Sequence, residues 1–415
     1  MTLTNWSGNH AFRARAVHAP SSLEELQEIV STLPRVRVLG SRHSFTGIAD
    51  SEELVTLERI ASDIVVDREA LTVTLGGAVR YDTLAQELER HGVALANLAS
   101  LPHIAVAGAI STATHGSGER NGNLASSVAA LEIATSGGEI VKVARGDRDF
   151  EGLVVGLGAV GAIVRITLDL LPSYEISQQV FTGLRWDRLL EHFDEVMASG
   201  YSVSVFSRWG AATEQVWVKR LSTEEPLDGQ LFGAPAASVE MHPISGHDPV
   251  NCTPQLGRAG PWSERLPHFR IGFTPSSGAE IQSEYLVPRR HAQDAIEAVL
   301  RIGAELAPLL LVSELRTVAA DRLWMSPQYA QDTLAVHFTW RPDQSAVERA
   351  LVEVERALAP FGPRPHWGKL FVADAAAIAP RYERLGEFVA LLDRLDPRGA
   401  FRNDWLTARL LGDGA

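Results

Sequence analysis

Residues 97–118, NLASLPHIAVAGAISTATHGSG, limit the architecture more than any other stretch of the chain. Most side chains in this run are Ala, Gly, Ser or Thr, and it carries two histidines, His103 and His115. The run shows neither the apolar period of an amphipathic helix nor the alternation of a half-buried strand. Small residues over such a length let the backbone approach something closely. Gly108, Gly116 and Gly118 supply room, and Ser100, Ser111, Thr112 and Thr114 supply hydroxyls. An extended ligand along the strip and a buried hairpin packed on its neighbours both satisfy this composition.

The flanking segments read as α+β. Ser22 and Glu25 make a capping-box pattern, and Leu23, Leu26, Ile29 and Val30 share one face, which predicts a helix over 20–33. A short strand over 36–39 ends at Gly40. A strand at 71–75 and a helix over 81–91, closed by Gly92, follow. Strands at 128–135 and 139–144 flank the turn Ser136-Gly137-Gly138, and another runs from Ala162 to Leu170. After Pro172 aromatic residues become frequent and alternating segments dominate. Residues 225–275 read as long loops rich in Pro and Gly, and the tail from 374 regains helical periodicity. A domain boundary near Pro172 is expected, as 415 residues suggest two domains.

Charge and cysteine usage narrow the classes. A net charge of −13 opposes a phosphate backbone, so nucleic acid is not an expected partner. The one cysteine, Cys252, allows no intramolecular disulfide. The start MTLTNWSGNHAF lacks the basic and apolar regions of a signal peptide. No window approaches the roughly 20 apolar residues of a bilayer span. A cytoplasmic protein without a membrane partner is expected.

Four constellations can carry chemistry. In GSRHSF, residues 40–45, a strand runs into small polar residues whose N–H groups can face a phosphate, with His43 beside them. There is no G-x-G-x-x-G after this strand, which argues against a Rossmann-type site. An ordinary turn with an incidental histidine is the alternative. The small-residue run is the second. The third is a pair of strands: in LLVSELRTV, Glu314 and Arg316 share a face, and in LAVHFTW, His337 and Thr339 do. They form either a polar site or a solvated outer face with surface ion pairs. The fourth is RPHWGKLF, residues 364–371, where His366 and Lys369 flank Trp367-Gly368. Lys369 is either partly desolvated, with a lowered pKa, or an ordinary surface lysine. His242 and His247 on a Pro/Gly loop make a poor metal pair, so no metal is expected, and no G-x-S-x-G elbow marks a hydrolase.

In order, VLGSRHSF, the 97–118 run, LGAVGAIVRITLDL, HWGK and DPRGAFRNDW resemble the vanillyl-alcohol-oxidase-type covalent flavoproteins, end to end. ASLPHI, SELRTVAAD, HFTW and RPHWGK resemble the alditol (xylitol) oxidase branch. The resemblance implies an α+β fold with an FAD-binding domain over 1–172, a substrate cap with an antiparallel sheet over 173–373, and a segment 374–415 returning to the FAD domain. It implies FAD bonded covalently through His43. The flavin would be held by Gly40, Ser41, Arg42, His43 and Ser44, by Ser100, Ala105, Gly108, Ser111 and His115, and by Ile163 and His366. Ser100, Glu314, Arg316, Thr339 and Lys369 would bind a polyol, with Lys369, Arg316 and His337 catalytic. The implied reaction takes the terminal hydroxyl of xylitol, sorbitol or glycerol to the aldose by hydride transfer to flavin N5, with O2 reduced to H2O2. A sugar-lactone oxidase or dehydrogenase is the alternative, and a monomer is expected. One departure stands out: many relatives have Gly where this chain has Arg42. If that position needs φ above zero, Arg is strained there.

Overall fold

The computed structural model describes residues 2–273 and 280–412. Positions 274–275 of the expected loop region and 413–415 of the tail lie outside the described residues.

The first half forms where the sequence is punctuated for it. Ser22 accepts from the Glu25 N–H, and Glu25 accepts from the Ser21 N–H, so the helix Leu23–Thr32 starts with orphan donors satisfied. Strand Arg37–Val38 joins Glu53–Val55 and Ala16–His18 in a parallel three-stranded sheet. A five-stranded antiparallel sheet runs in the order Ile64–Asp67, Thr72–Gly76, Ala162–Asp169, Val128–Ala134, Ile140–Ala144.

The small-residue run differs from its sequence reading in one respect: Val106–Ser111 is a helix of six residues, too short to show a period. Its glycines divide the two roles that composition left open. A Cβ on Gly116 would stand 2.1 Å from Asn97 Oδ1, and one on Gly118 would stand 2.4 Å from the Tyr201 carbonyl oxygen. Those two serve chain packing. At Gly108 an added Cβ meets nothing within 4 Å, and this residue lines the central cavity.

The second half is built on an eight-stranded antiparallel sheet. Its order is Gly260–Pro261, Glu175–Thr182, Gln215–Leu221, Ser202–Ser207, Leu310–Val318, Thr333–Trp340, Ile281–Pro288, Arg364–Pro365. Alternation gives its central strands two different faces. Leu315, Val336 and Tyr285 align on one face. Trp209 packs on Phe338 there and donates its indole N–H to Ser313 Oγ at 2.8 Å, with helix Ala292–Leu306 behind it at Gly303. Opposite one another on the other face stand Phe206, Glu314, His337 and Glu284. That face looks towards the first half: His115 Nε2 lies 3.3 Å from Glu284 Oε2.

The tail returns to the first half. Val36 N–H donates to the Ala400 carbonyl at 2.8 Å, and Asn403 Nδ2 donates to the carbonyls of Gly47, Ile48 and Asp50 at 3.0, 3.2 and 2.8 Å. The buried Arg37 guanidinium reaches the carbonyls of Phe401 and Leu157, both at 2.6 Å, and that of Ile48. Among the described residues, no helix is long and apolar enough to cross a membrane.

Candidate active site

A cavity of about 520 Å³ lies between the two halves. The loop after strand Arg37–Val38 enters it under restraint from three directions. Ser41 Oγ accepts from the Ala105 N–H at 3.0 Å, the Arg42 carbonyl accepts from Trp6 N–H at 2.8 Å, and Phe45 N–H donates to the Gly368 carbonyl at 2.8 Å. His43 projects from this loop with its ring against Trp6 at 5.2 Å and His103 at 4.7 Å. Both His43 nitrogens are buried, and neither has a hydrogen-bond partner among the described residues. Burial, with His103 and nearby arginines adding to it, lowers the His43 pKa to about 3, so the ring is neutral near pH 7. A neutral, unpartnered ring nitrogen facing a cavity retains its lone pair for a ligand. A buried polar atom without a partner is costly, and an organic group bonded there would remove the cost. The cavity therefore has room for a large cofactor, and His43 offers a nitrogen to hold it.

The opposite wall is the polar sheet face. Glu284 has no exposed side-chain surface; its Oε2 lies 2.7 Å from Lys369 Nζ and its Oε1 lies 2.8 Å from Arg316 Nη2. Arg316 Nε lies 3.5 Å from Glu314 Oε1, which also takes His268 Nε2 at 2.8 Å. Two carboxylates and two cations thus form one buried neutral set. Burial raises the Glu284 carboxyl, but Lys369, His115 and Arg316 outweigh it and hold the group well below its ordinary value. Glu314 behaves likewise: burial raises it, and Arg316 and His268 bring it down. Burial lowers the Lys369 ammonium, with Glu284 opposing. Lys369 Nζ also sits 2.8 Å from His337 Nδ1, and His337 Nε2 lies 3.0 Å from Thr339 Oγ1. Burial, followed by the Lys369 charge, depresses His337 well below its ordinary range, so its ring is neutral. An ammonium can only donate, so Nδ1 accepts and Nε2 carries the proton towards Thr339.

All the cofactor and polyol residues that the resemblance implied line this one cavity. From the loop come Gly40, Ser41, Arg42, His43 and Ser44, and from the small-residue run Ser100, Ala105, Gly108, Ser111 and His115. Ile163, Glu314, Arg316, His337, Thr339, His366 and Lys369 complete the set. The solvated-face alternative for the paired strands is excluded, since Glu314 and Arg316 are 5% and 4% exposed. Lys369 is not a surface lysine either, with 14% of its side chain exposed. The hydroxyl of Ser111 donates to the Ala107 carbonyl at 2.7 Å and so turns back into its own helix.

Four residues at the site were not singled out from sequence. Gln282 and Glu284 repeat the two-residue polar spacing of the neighbouring strands, which was a readable signal. His103 and His268 carry none, because their importance comes from partners distant in the chain. His115, Glu284 and His366 bring possible ligand atoms within 4.8 Å of one another. Lys369 and Arg316 already take both Glu284 oxygens, so a metal cation there would meet two like charges.

Known proteins match this arrangement. A family model described as "FAD binding domain" matches residues 14–144, and one described as "D-arabinono-1,4-lactone oxidase" matches residues 278–409. The chain is 48% identical to an alditol oxidase of a Streptomyces species, over 99% of each protein. It is 29% identical to an L-gulono-1,4-lactone dehydrogenase of Mycobacterium tuberculosis, again over 99% of each. In fold it is similar to a solved cholesterol oxidase of Brevibacterium sterolicum, with a TM-score of 0.80 at 15% identity, covering 99% of this chain and 96% of the other.

Arg42 occupies the left-handed region with φ +60°, the conformation in which the Arg side chain is strained. Its exposed guanidinium makes one long contact, 3.4 Å to the Thr4 carbonyl. Arg42→Gly removes the strain, partly offset by the greater freedom of glycine in the unfolded chain. It should stabilise the protein by roughly 0.5–1 kcal/mol. Urea unfolding of the two proteins measures this, and an equal or lower stability for the variant contradicts it.

Proposed function

The chain belongs to the family of FAD-dependent alditol oxidases, and we propose that it oxidises the terminal primary hydroxyl of a small alditol to the aldehyde of the aldose. Xylitol, sorbitol and glycerol are the substrates in view. The observation that carries this reading is the buried set of Glu314, Arg316, Glu284 and Lys369, facing the same cavity as the unpartnered His43. A polyol offers several hydroxyls, each a donor and an acceptor. Glu314 can accept from one while Arg316 and Lys369 donate to others, with Ser100 and Thr339 completing the hydrogen bonds. A site built to satisfy hydroxyls discriminates against molecules that lack them.

In this reading, residues 1–172 with the returning 374–415 hold FAD, and 173–373 hold the polyol. His43 would hold FAD covalently, with Ser41, Ser44, Ala105, Gly108, His115, Ile163 and His366 lining the cavity beside it. A bound FAD would supply the two-electron redox chemistry, taking up a hydride from the alcohol carbon and passing both electrons on to O2 as H2O2. The chain's own groups manage the proton and the charge. Two of the three Lys369 donor positions are taken by Glu284 and His337, which leaves one for the reacting oxygen. Lys369 and Arg316 stabilise the developing alkoxide. Lys369 passes one proton across its hydrogen bond to His337 Nδ1 and takes the hydroxyl proton in its place, so the pair gains one proton in all. The enzyme works in the cytoplasm.

Two experiments test this. In a peroxide assay, xylitol or sorbitol should give H2O2 at a higher kcat/KM than a sugar lactone. Turnover of the lactone alone would move the assignment to a lactone oxidase, and no turnover of either would sink it. Acid precipitation of wild-type protein should leave the yellow colour in the pellet, while His43→Ala should release it to the supernatant. A yellow His43→Ala pellet would put the linkage on another residue.

A further inference from the structure

Behind the site stands a buried lysine that the reading above does not use. Lys219 lies in strand Gln215–Leu221 and is 1% exposed. An ammonium in such a place is costly unless every donor is satisfied. Lys219 Nζ donates to the Leu266 carbonyl, to the Pro267 carbonyl at 3.0 Å and to His268 Nδ1 at 3.3 Å. Those three contacts use all of its donors.

The chemistry beyond Lys219 follows in sequence. Burial lowers the Lys219 pKa to about 7, with Glu314 opposing, and the three acceptors around Nζ favour the ammonium. The Glu314 carboxylate can only accept, so His268 Nε2 carries the ring proton and Nδ1 accepts from Lys219. His268 Nε2 lies 2.8 Å from Glu314 Oε1. Arg316 Nε approaches the same oxygen, so among the described residues Oε2 is the Glu314 oxygen left for a ligand. The same loop sets a second part of the site: His268 N–H and Phe269 N–H both lie on the Ser100 carbonyl, at 3.2 and 3.4 Å. Burial lowers the His268 pKa to about 4, which matches a neutral ring near pH 7.

We propose that Lys219 and His268 are positioning residues for Glu314. Lys219 fixes the tautomer of His268, and His268 holds Oε1 of Glu314 so that Oε2 meets the polyol. The proposal rests on the reading of Glu314 as a polyol ligand. The simpler role for Lys219 is to tie down the 266–268 loop by its two carbonyls.

A double-mutant cycle on the holoenzyme separates the two roles. Lys219→Met and His268→Ala should each raise the KM for xylitol roughly 10-fold, the scale of a lost hydrogen bond to a charged group, with a smaller change in kcat. His268→Gln, whose amide can still donate towards Glu314, should recover most of the His268→Ala loss. In a Glu314→Gln background, Lys219→Met should change KM by less than about twofold, because its effect runs through the carboxylate. An equal rise in KM in both backgrounds assigns Lys219 to loop holding and overturns the proposal. If Lys219→Met does not fold, the comparison of His268→Ala with His268→Gln decides, and equal losses in those two overturn it. Glu314→Gln with an unchanged KM would instead refute Glu314 as a polyol ligand.

Discussion

Glu284 has no exposed surface, and the cations that satisfy it arrive from separate elements: Arg316 from strand Leu310–Val318, and Lys369 from the turn beyond Arg364–Pro365. A buried carboxylate without such partners would be protonated or would unfold its surroundings. With them it fixes where two positive charges stand, and Glu314 balances the remaining one. The positions of Lys369 and Arg316 relative to the cavity therefore depend on Glu284, although Glu284 is the member furthest from solvent. The set is neutral as a whole, which is what lets so many ionised groups be buried together.

The same carboxylate joins the two halves. His115 reaches it from the small-residue run, with Nε2 3.3 Å from Glu284 Oε2. Nearby, Gly118 N–H meets the Thr317 carbonyl, and Phe45 N–H meets the Gly368 carbonyl one residue before Lys369. The loop that carries His43 and the turn that carries Lys369 are thus hydrogen-bonded to each other directly. A cofactor anchored on the first would be held in register with charges on the second.

Much of this was legible in the sequence. The spacing of Glu314 with Arg316, and of His337 with Thr339, placed each pair on one sheet face, and the structure sets Glu314 opposite His337. Sequence could not decide whether that face was wet, since burial depends on what packs over it. Glu284 escaped notice for a local reason. Its strand has Ser283 on the opposite face, where an apolar residue would have sharpened the alternation. That serine accepts the Trp340 indole N–H at 2.8 Å, so the contrast was given up to satisfy a buried donor. His268 lies on a loop, and its meaning comes from Glu314, 46 positions away. The strain at Arg42 was foreseeable only as a condition on φ, and the backbone supplies the value. The six-residue helix at Val106–Ser111 lay below the length at which periodicity can be read.

If Glu284 organises the charges that polarise the alcohol, replacing it with its neutral isostere should disable the chemistry while leaving the cofactor in place. The direct measurement is anaerobic, single-turnover reduction of the flavin by xylitol in Glu284→Gln, with flavin content and unfolding midpoint recorded on the same sample. A fall of about 100-fold or more in the reduction rate at normal flavin content is expected, the scale of losing positioned electrostatic stabilisation. Reduction at a near wild-type rate would contradict the account.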